Sequence, residues 1–367
     1  MRDPQNYSFE TSFDLQSFQT LCEYHRIRPQ LYEILKNNKT TPLDLLAYLK
    51  TQREQWTFRN LAFMAEAKKL KAAFSKADID IIFYKGGLLS QEIYGDFSIR
   101  ESSDLDIIVP PNRLIEVGDL LSKLGYKLCR DPQLWGHETF ILSDSEIEWH
   151  HEEKQITLDL HWRPNNPRTG LNFSYEDCKT YSRFLELQND CFRLTELEFT
   201  FLLLACHRLK SPQRRLCHLL DLITLFEKSQ LNWESMTKLI EEFKLQKVIA
   251  KTLVSILSIH PNTSLPETLL DILPKNWQHN GISKEDLGCI KIDSSNNKTW
   301  LQSSWNFLVY SASNHYSLKK KMTCNSFIFL YPSVQVTRTI LLKPKARFLY
   351  PLIIPLVYIK LAFQNKS

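Results

Sequence analysis

The stretch YKGGLLSQEIYGDFSIRESSDLDIIVP, residues 84–110, contains a glycine pair followed by two aspartates that are one residue apart. Its apolar pattern predicts a strand that ends at the glycines, a helix of one to two turns, a polar loop and a second strand. Side chains two positions apart on a strand share a face, so we expect Asp104 and Asp106 together where the second strand starts. Neighbouring carboxylates repel each other, and a divalent cation removes this repulsion. The pair therefore predicts a magnesium site.

A third carboxylate lies in QITLDLHWR, residues 155–163, where apolar residues alternate with Asp159, His161 and Arg163. If this strand lies beside the strand of the aspartate pair, Asp159 completes a site for two metal ions. One ion would lower the pKa of the attacking hydroxyl, and the other would bridge the nucleotide phosphates. Asp159 would also be placed to act as a general base. His161 is expected to hydrogen-bond within the site, although its position beside Asp159 also suggests a manganese or zinc ligand.

The glycine pair falls where a strand meets a helix, which is a favourable place for phosphate. Gly86 and Gly87 lack side chains, so a phosphate could approach their backbone N–H groups at the positive end of the helix. Lys85 and Arg100 would add positive charge, and a guanidinium can pair with phosphate or orient an aspartate. These four residues are the predicted nucleotide cradle.

The remainder of the chain predicts an α+β protein. Helical spacing of apolar residues runs through the N-terminal part, and strands dominate the middle, with ETFIL at residues 138–142 interpreted as one of them. Strongly periodic helices follow. We therefore predict a helical region over 1–77, an α+β core over 78–190, a helical domain over 191–260 that would form the far side of a cleft, and a mixed or helical region over 261–367.

Composition excludes little and indicates a cytosolic protein. The 367 residues carry a net charge of +5 and eight cysteines, with no CxxC pair that would indicate a zinc ribbon. There is no strong nucleic-acid signature, because basic residues form only short clusters, which we interpret as solvated faces; one of them comprises Arg208, Lys210, Arg214 and Arg215. Residues 343–363 are apolar but contain two prolines and are too short for a bilayer span. They are expected to pack on the protein or to contact a membrane peripherally.

These residues together resemble the uncharacterised nucleotidyltransferase family of the polymerase-beta-like superfamily. The residues that carry the resemblance are Lys85, Gly86, Gly87, Tyr94, Arg100, Asp104 and Asp106, then Asp159, His161 and Trp162 in LDLHWR, and His207 and Asp221 on two later helices. The superfamily often has glycine-serine at the glycine pair, so a hydroxyl contact to phosphate would either be absent here or be supplied by Ser90, Ser102 or Ser103. His207 and Asp221 would either form a buried pair or contribute to the cleft.

The resemblance implies a mixed sheet with flanking helices and metal-dependent nucleotidyl transfer. The enzyme would bind an NTP, for example ATP, together with two Mg²⁺ ions. Mn²⁺ could replace Mg²⁺. It would transfer the NMP to a hydroxyl of an unknown acceptor and release pyrophosphate. The alternative is a non-catalytic or toxin/antitoxin-type regulatory module with the same fold that binds nucleotide or a partner. A third hypothesis, a membrane-associated enzyme, depends on residues 343–363.

Overall fold

A computed structural model describes residues 9, 14–129, 132–187, 189–210, 215–228, 231–275, 277–279 and 349. Almost all of the apolar segment 343–363, and most of the predicted region 261–367, lie outside the described residues. The four-part division predicted from the sequence stays a prediction.

A seven-stranded mixed sheet with helices around it forms the centre of the chain, which confirms the expected α+β fold. Its spatial order is β3-β4-β5-β2-β1-β7-β6. Strand β1 pairs with β7 in parallel, whereas β4 runs antiparallel to both β3 and β5, and β6 runs antiparallel to β7. The strands are β1 (Ile82–Phe83), β2 (Leu105–Ile108), β3 (Lys127–Leu128), β4 (Glu146–His151), β5 (Ile156–His161), β6 (Ser182–Leu187) and β7 (Asp190–Thr195).

Strand β5 lies beside β2. This is the arrangement under which Asp159 was expected to reach the aspartate pair. Alternation of side chains along β5 buries Ile156, Leu158 and Leu160 in the core. The other face carries Thr157 and Asp159, which are half-buried. This alternation places a polar row on one face of the sheet.

The N-terminal part of the described chain forms three helices, α1 (Leu15–His25), α2 (Arg28–Leu35) and α3 (Leu43–Lys76). The helices that connect the strands are α4 (Gly86–Tyr94), α5 (Leu114–Lys123), α6 (Glu138–Ser143) and α7 (Tyr175–Thr180). After the sheet follow α8 (Leu197–Lys210), α9 (Leu216–Lys228), α10 (Trp233–Glu242), α11 (Gln246–Ile259) and α12 (Glu267–Ile272).

The interpretation of ETFIL as a strand was wrong, since these residues belong to α6. The buried positions are Thr139, Phe140 and Ser143, which is helical spacing. His137 caps the helix by accepting a hydrogen bond from the backbone N–H of Thr139 at 3.2 Å. Phe140 packs edge-on against Trp162, with ring centroids 5.6 Å apart. A short apolar run does not distinguish a buried helical turn from a strand, and here packing decided it.

The described residues fall into two compact units, and two of the boundaries along the chain fall within β1 and β2. The first contains residues from 1–73, 83–106 and 181–294, and the second contains residues from 74–82 and 107–180. The first unit buries apolar side chains of α3, α8 and α9, such as Leu70, Phe199 and Leu222. The second unit buries Trp162, whose Nε1 donates to the carbonyl of Ile141 at 2.8 Å.

Candidate functional site

A strained turn joins β1 to α4 at the glycine pair. Lys85 has φ 65° and ψ −148°, and Gly86 has φ 65°. Residues other than glycine rarely adopt this conformation, and the surrounding fold must hold Lys85 in it. A Cβ built at Gly86 would meet nothing within 4 Å, so the space beside its backbone is open. The turn therefore leaves room beside the backbone at the N-terminus of α4.

The strained backbone directs Lys85 at the aspartate pair. Its Nζ lies 3.1 Å from Oδ1 of Asp106, and the two side chains are only 8% and 5% exposed. The backbone N–H of Tyr84 donates to the carbonyl of Asp106 at 3.0 Å, which fixes the two segments side by side. The ammonium therefore balances one carboxylate of the pair.

Asp104 lies just before β2 and is held by its neighbour. The hydroxyl of Ser103 donates to Oδ2 of Asp104 at 2.9 Å. Burial raises the pKa of the Asp104 carboxyl, and the charge of Asp106 raises it further, against the lowering effect of Lys85. The repulsion expected from two carboxylates one residue apart is thus present, and added positive charge would relieve it.

A potential metal site involves Asp106 on β2 together with Asp159 and His161 on β5. Each offers a ligand atom, and these atoms all lie within 4.8 Å of one another. The backbone N–H of Val109 donates to the carbonyl of His161 at 2.9 Å and so sets the register beside β5. Two carboxylates and an imidazole suit a divalent cation, because carboxylates favour Mg²⁺ or Mn²⁺ and imidazole favours transition metals. The ligand set predicted from the sequence was Asp104, Asp106 and Asp159. Among the described residues, the cluster found in the structure has His161 in place of Asp104.

Strand β4 adds acidic residues opposite this cluster. Glu146 pairs in register with His161, and Glu148 pairs with Asp159. Oε2 of Glu146 lies 3.0 Å from Nδ1 of His161. A carboxylate on one imidazole nitrogen orients the ring and leaves the other nitrogen for a metal. Glu146 was not identified from the sequence, although its alternation with the apolar residues of β4 could have indicated its face.

The predicted phosphate ligand Arg100 is buried and bound to Asp221 on α9. Its Nε donates to Oδ2 of Asp221 at 2.9 Å, and the Tyr94 hydroxyl donates to Oδ1 at 2.9 Å. Burial lowers the pKa of Arg100, but the charge of Asp221, its hydrogen bond to the guanidinium and the charges of Cys217 and Asp106 together raise it overall. Burial and the same aspartate raise the pKa of Tyr94 well above its usual value. These residues form a buried network joining α4, α9 and the loop before β2.

The remaining predicted cleft residues are His207 and Arg163. The ring of His207 on α8 packs edge-on against His218 on α9, with centroids 4.9 Å apart. Burial, followed by the charges of Arg100 and Lys85, holds the pKa of His218 well below its usual value. Arg163 follows β5 and donates through Nη2 to the carbonyl of Ile141 at 3.2 Å.

Comparison with known proteins identifies the family. The profile of the uncharacterised nucleotidyltransferase family matches residues 11–256, which is most of the chain. The chain belongs to this family. It is therefore a nucleotidyltransferase, and the expectation drawn from the motifs around Asp104 and Asp106 is confirmed at the level of the family.

Other comparisons add little to the nucleotidyltransferase assignment. A solved structure of the antibiotic-resistance factor ANT(2'')-Ia is similar to this nucleotidyltransferase at 14% identity and a TM-score of 0.36, over 56% of this chain and 97% of that one. No curated protein matches the chain. Within the residues that the structure describes, every helix is too short or too polar to cross a membrane.

Proposed function

We propose that the protein transfers an NMP from an NTP to an acceptor hydroxyl in a reaction that depends on a divalent metal and releases pyrophosphate. The observation that carries the proposal is the convergence of Asp106, Asp159 and His161 next to the open turn at Lys85 and Gly86. Nucleotidyl transfer needs charge neutralisation and positioning more than covalent chemistry, and these residues provide both.

The metal would be held by Asp106, Asp159 and His161, and the carboxylate of Glu146 lies 3.0 Å from Nδ1 of that imidazole. When bound, Mg²⁺ or Mn²⁺ would neutralise phosphate charge and lower the pKa of the attacking hydroxyl. Asp104 is the remaining carboxylate of the pair, and it would serve a second ion if two are used. Its raised pKa agrees with a position where negative charge is in excess.

Lys85 would exchange partners during nucleotide binding. In the structure its ammonium neutralises Asp106 at 3.1 Å. With that carboxylate engaged by a metal ion, the Lys85 ammonium would be released to turn towards phosphates, which the N–H groups at the start of α4 would favour. The proton of the acceptor hydroxyl would move to a carboxylate oxygen of Asp159, which faces the cluster from the neighbouring strand.

Arg100 would act indirectly, since its guanidinium is bound to Asp221. Through Ser102, which accepts a hydrogen bond from its Nη1 at 3.3 Å, it would hold the loop that carries the aspartate pair. Retention of all three carboxylates favours this enzymatic function over a non-catalytic regulatory module.

The experiment measures pyrophosphate release and self-labelling with each α-³²P-labelled NTP, with and without Mg²⁺, and then labelling of candidate acceptors. Asp106→Asn is expected to reduce the rate at least about 10³-fold, because it removes a metal ligand. Asp190→Asn is the matched control, since Asp190 pairs with Lys68 and Lys71 at the surface. Equal rates for wild type and Asp106→Asn, or a rate unaffected by EDTA, would refute the proposal.

A further inference from the structure

Two arginines from distant parts of the chain lie on segments that are joined by a hydrogen bond, and one of them contacts the loop that carries the aspartate pair. Arg26 follows α1, and its Nη1 donates to Oγ of Ser103 at 3.0 Å. Arg215 precedes α9, and the next residue, Leu216, donates its backbone N–H to Nδ1 of His25 at 3.3 Å. The bond between His25 and Leu216 therefore ties together the segments that carry the two guanidinium groups.

Arg26 occupies a backbone conformation that favours glycine. It has φ 53° and ψ 53° at the C-terminus of α1, where its N–H caps the helix by donating to the carbonyl of Glu23 at 3.2 Å. A residue with a Cβ pays roughly 1 kcal/mol or more for this left-handed conformation, and glycine is the usual residue there. The backbone conformation does not favour an arginine at this position, so the reason for an arginine here must lie in its guanidinium group.

Arg215 is a half-buried cation with incomplete hydrogen bonding. Its Nε is buried and, among the described residues, has no hydrogen-bond partner. Burial lowers the pKa of Arg215, and the positive charge of Arg26 lowers it further, while Asp104 among others opposes this. Within the described part of the chain, neither Arg26 nor Arg215 forms an ion pair with a carboxylate. Two like charges on linked segments that repel each other, one of them with a spare donor, are a favourable place for a polyanion.

The position of the two arginines indicates which anion they would bind. Arg26 contacts Ser103, and Ser103 in turn donates to Asp104, so the guanidinium is two hydrogen bonds from the aspartate pair. Terminal phosphates of an NTP carry several acceptor oxygens, which suit the fork of donors on a guanidinium. We propose that Arg26 and Arg215 form the subsite for the β- and γ-phosphates of the NTP, with Ser103 holding the Arg26 guanidinium beside the aspartate pair. This inference rests on the proposed function, and it assigns the subsite of the leaving pyrophosphate.

The test uses the full chain and inorganic tripolyphosphate, which carries the phosphate chemistry without base or sugar. Binding is measured by calorimetry in Mg²⁺. Arg26→Gly and Arg215→Gln are each expected to weaken binding about tenfold or more, as for loss of a charge-assisted hydrogen bond. Arg26→Gly also relieves the left-handed backbone, so its thermal midpoint should not fall. Arg113→Gln is the control, because Arg113 is engaged by Glu116.

Several results would overturn the subsite: no binding of tripolyphosphate by wild type, or wild-type affinity in both Arg26→Gly and Arg215→Gln. An equal loss in Arg113→Gln would also overturn it, because the effect would then be one of general charge. The two proposals fail separately. If no nucleotidyl transfer is found but the arginine variants selectively lose tripolyphosphate binding, only the proposed function is refuted. If transfer requires Asp106 but neither Arg26 nor Arg215, only the subsite is refuted.

Discussion

Replacing Asp221 by leucine should strongly destabilise the protein, because it would leave the charge of Arg100 buried without a partner. The Asp221 side chain is fully buried and that of Arg100 is 9% exposed, with 2.9 Å between Nε and Oδ2. Removing one member of a buried ion pair costs about 3–5 kcal/mol. Tyr94→Phe removes one hydrogen bond to the same carboxylate and should cost only about 1 kcal/mol.

The double variant Arg100→Met/Asp221→Leu separates the cost of an unpaired charge from the cost of lost packing. Apolar replacement of both partners is often close to neutral, so the double variant should be more stable than Asp221→Leu alone. The assay is urea unfolding followed by circular dichroism and tryptophan fluorescence, with the free energy of unfolding compared among the variants. A loss below about 1 kcal/mol for Asp221→Leu, or additive losses in the double variant, would refute the assignment of a buried pair.

Three further perturbations can be checked by the same unfolding measurements. Gly86→Ala should lower the free energy of unfolding by about 1 kcal/mol, because Gly86 has a positive φ. Gly87→Ala should be nearly neutral, because the nearest atoms to its added Cβ would be 3.5 Å away. Equal stability of the two variants would contradict this. Gly118→Ala should cost about 1–3 kcal/mol because its Cβ would lie 2.6 Å from the ring of Trp135, and Trp135→Leu should relieve that cost. His218 has a depressed pKa in the folded protein, so as the pH falls the unfolded chain takes up a proton that the folded chain does not. The contribution of His218 to the free energy of unfolding should be fully present above pH about 6.5 and should decrease at lower pH by up to about 1.4 kcal/mol per pH unit. His218→Gln should reduce that slope.

Local periodicity predicted the elements of the site because it reflects the backbone itself. Alternation along LDIIVP and QITLDLHW gave two strands with a polar face, and β2 and β5 are neighbours in the sheet. The glycine pair gave a turn between a strand and a helix, and Gly86 does adopt a positive φ there. In contrast, ETFIL is a helix although its local pattern resembles a strand, and its Phe140 packs against Trp162, which lies outside the segment.

By itself, the sequence determined which residue types lie at the start of each strand and helix. Side-chain direction follows from backbone geometry within a few residues, so local sequence also indicates which of these residues share a face. Only the tertiary structure decided which of them meet. It pairs Arg100 with Asp221 across 121 positions, and it places His161 with Asp106 and Asp159. Partners so distant in sequence are selected by packing and by the need to satisfy buried charge, and neither leaves a local pattern in the chain.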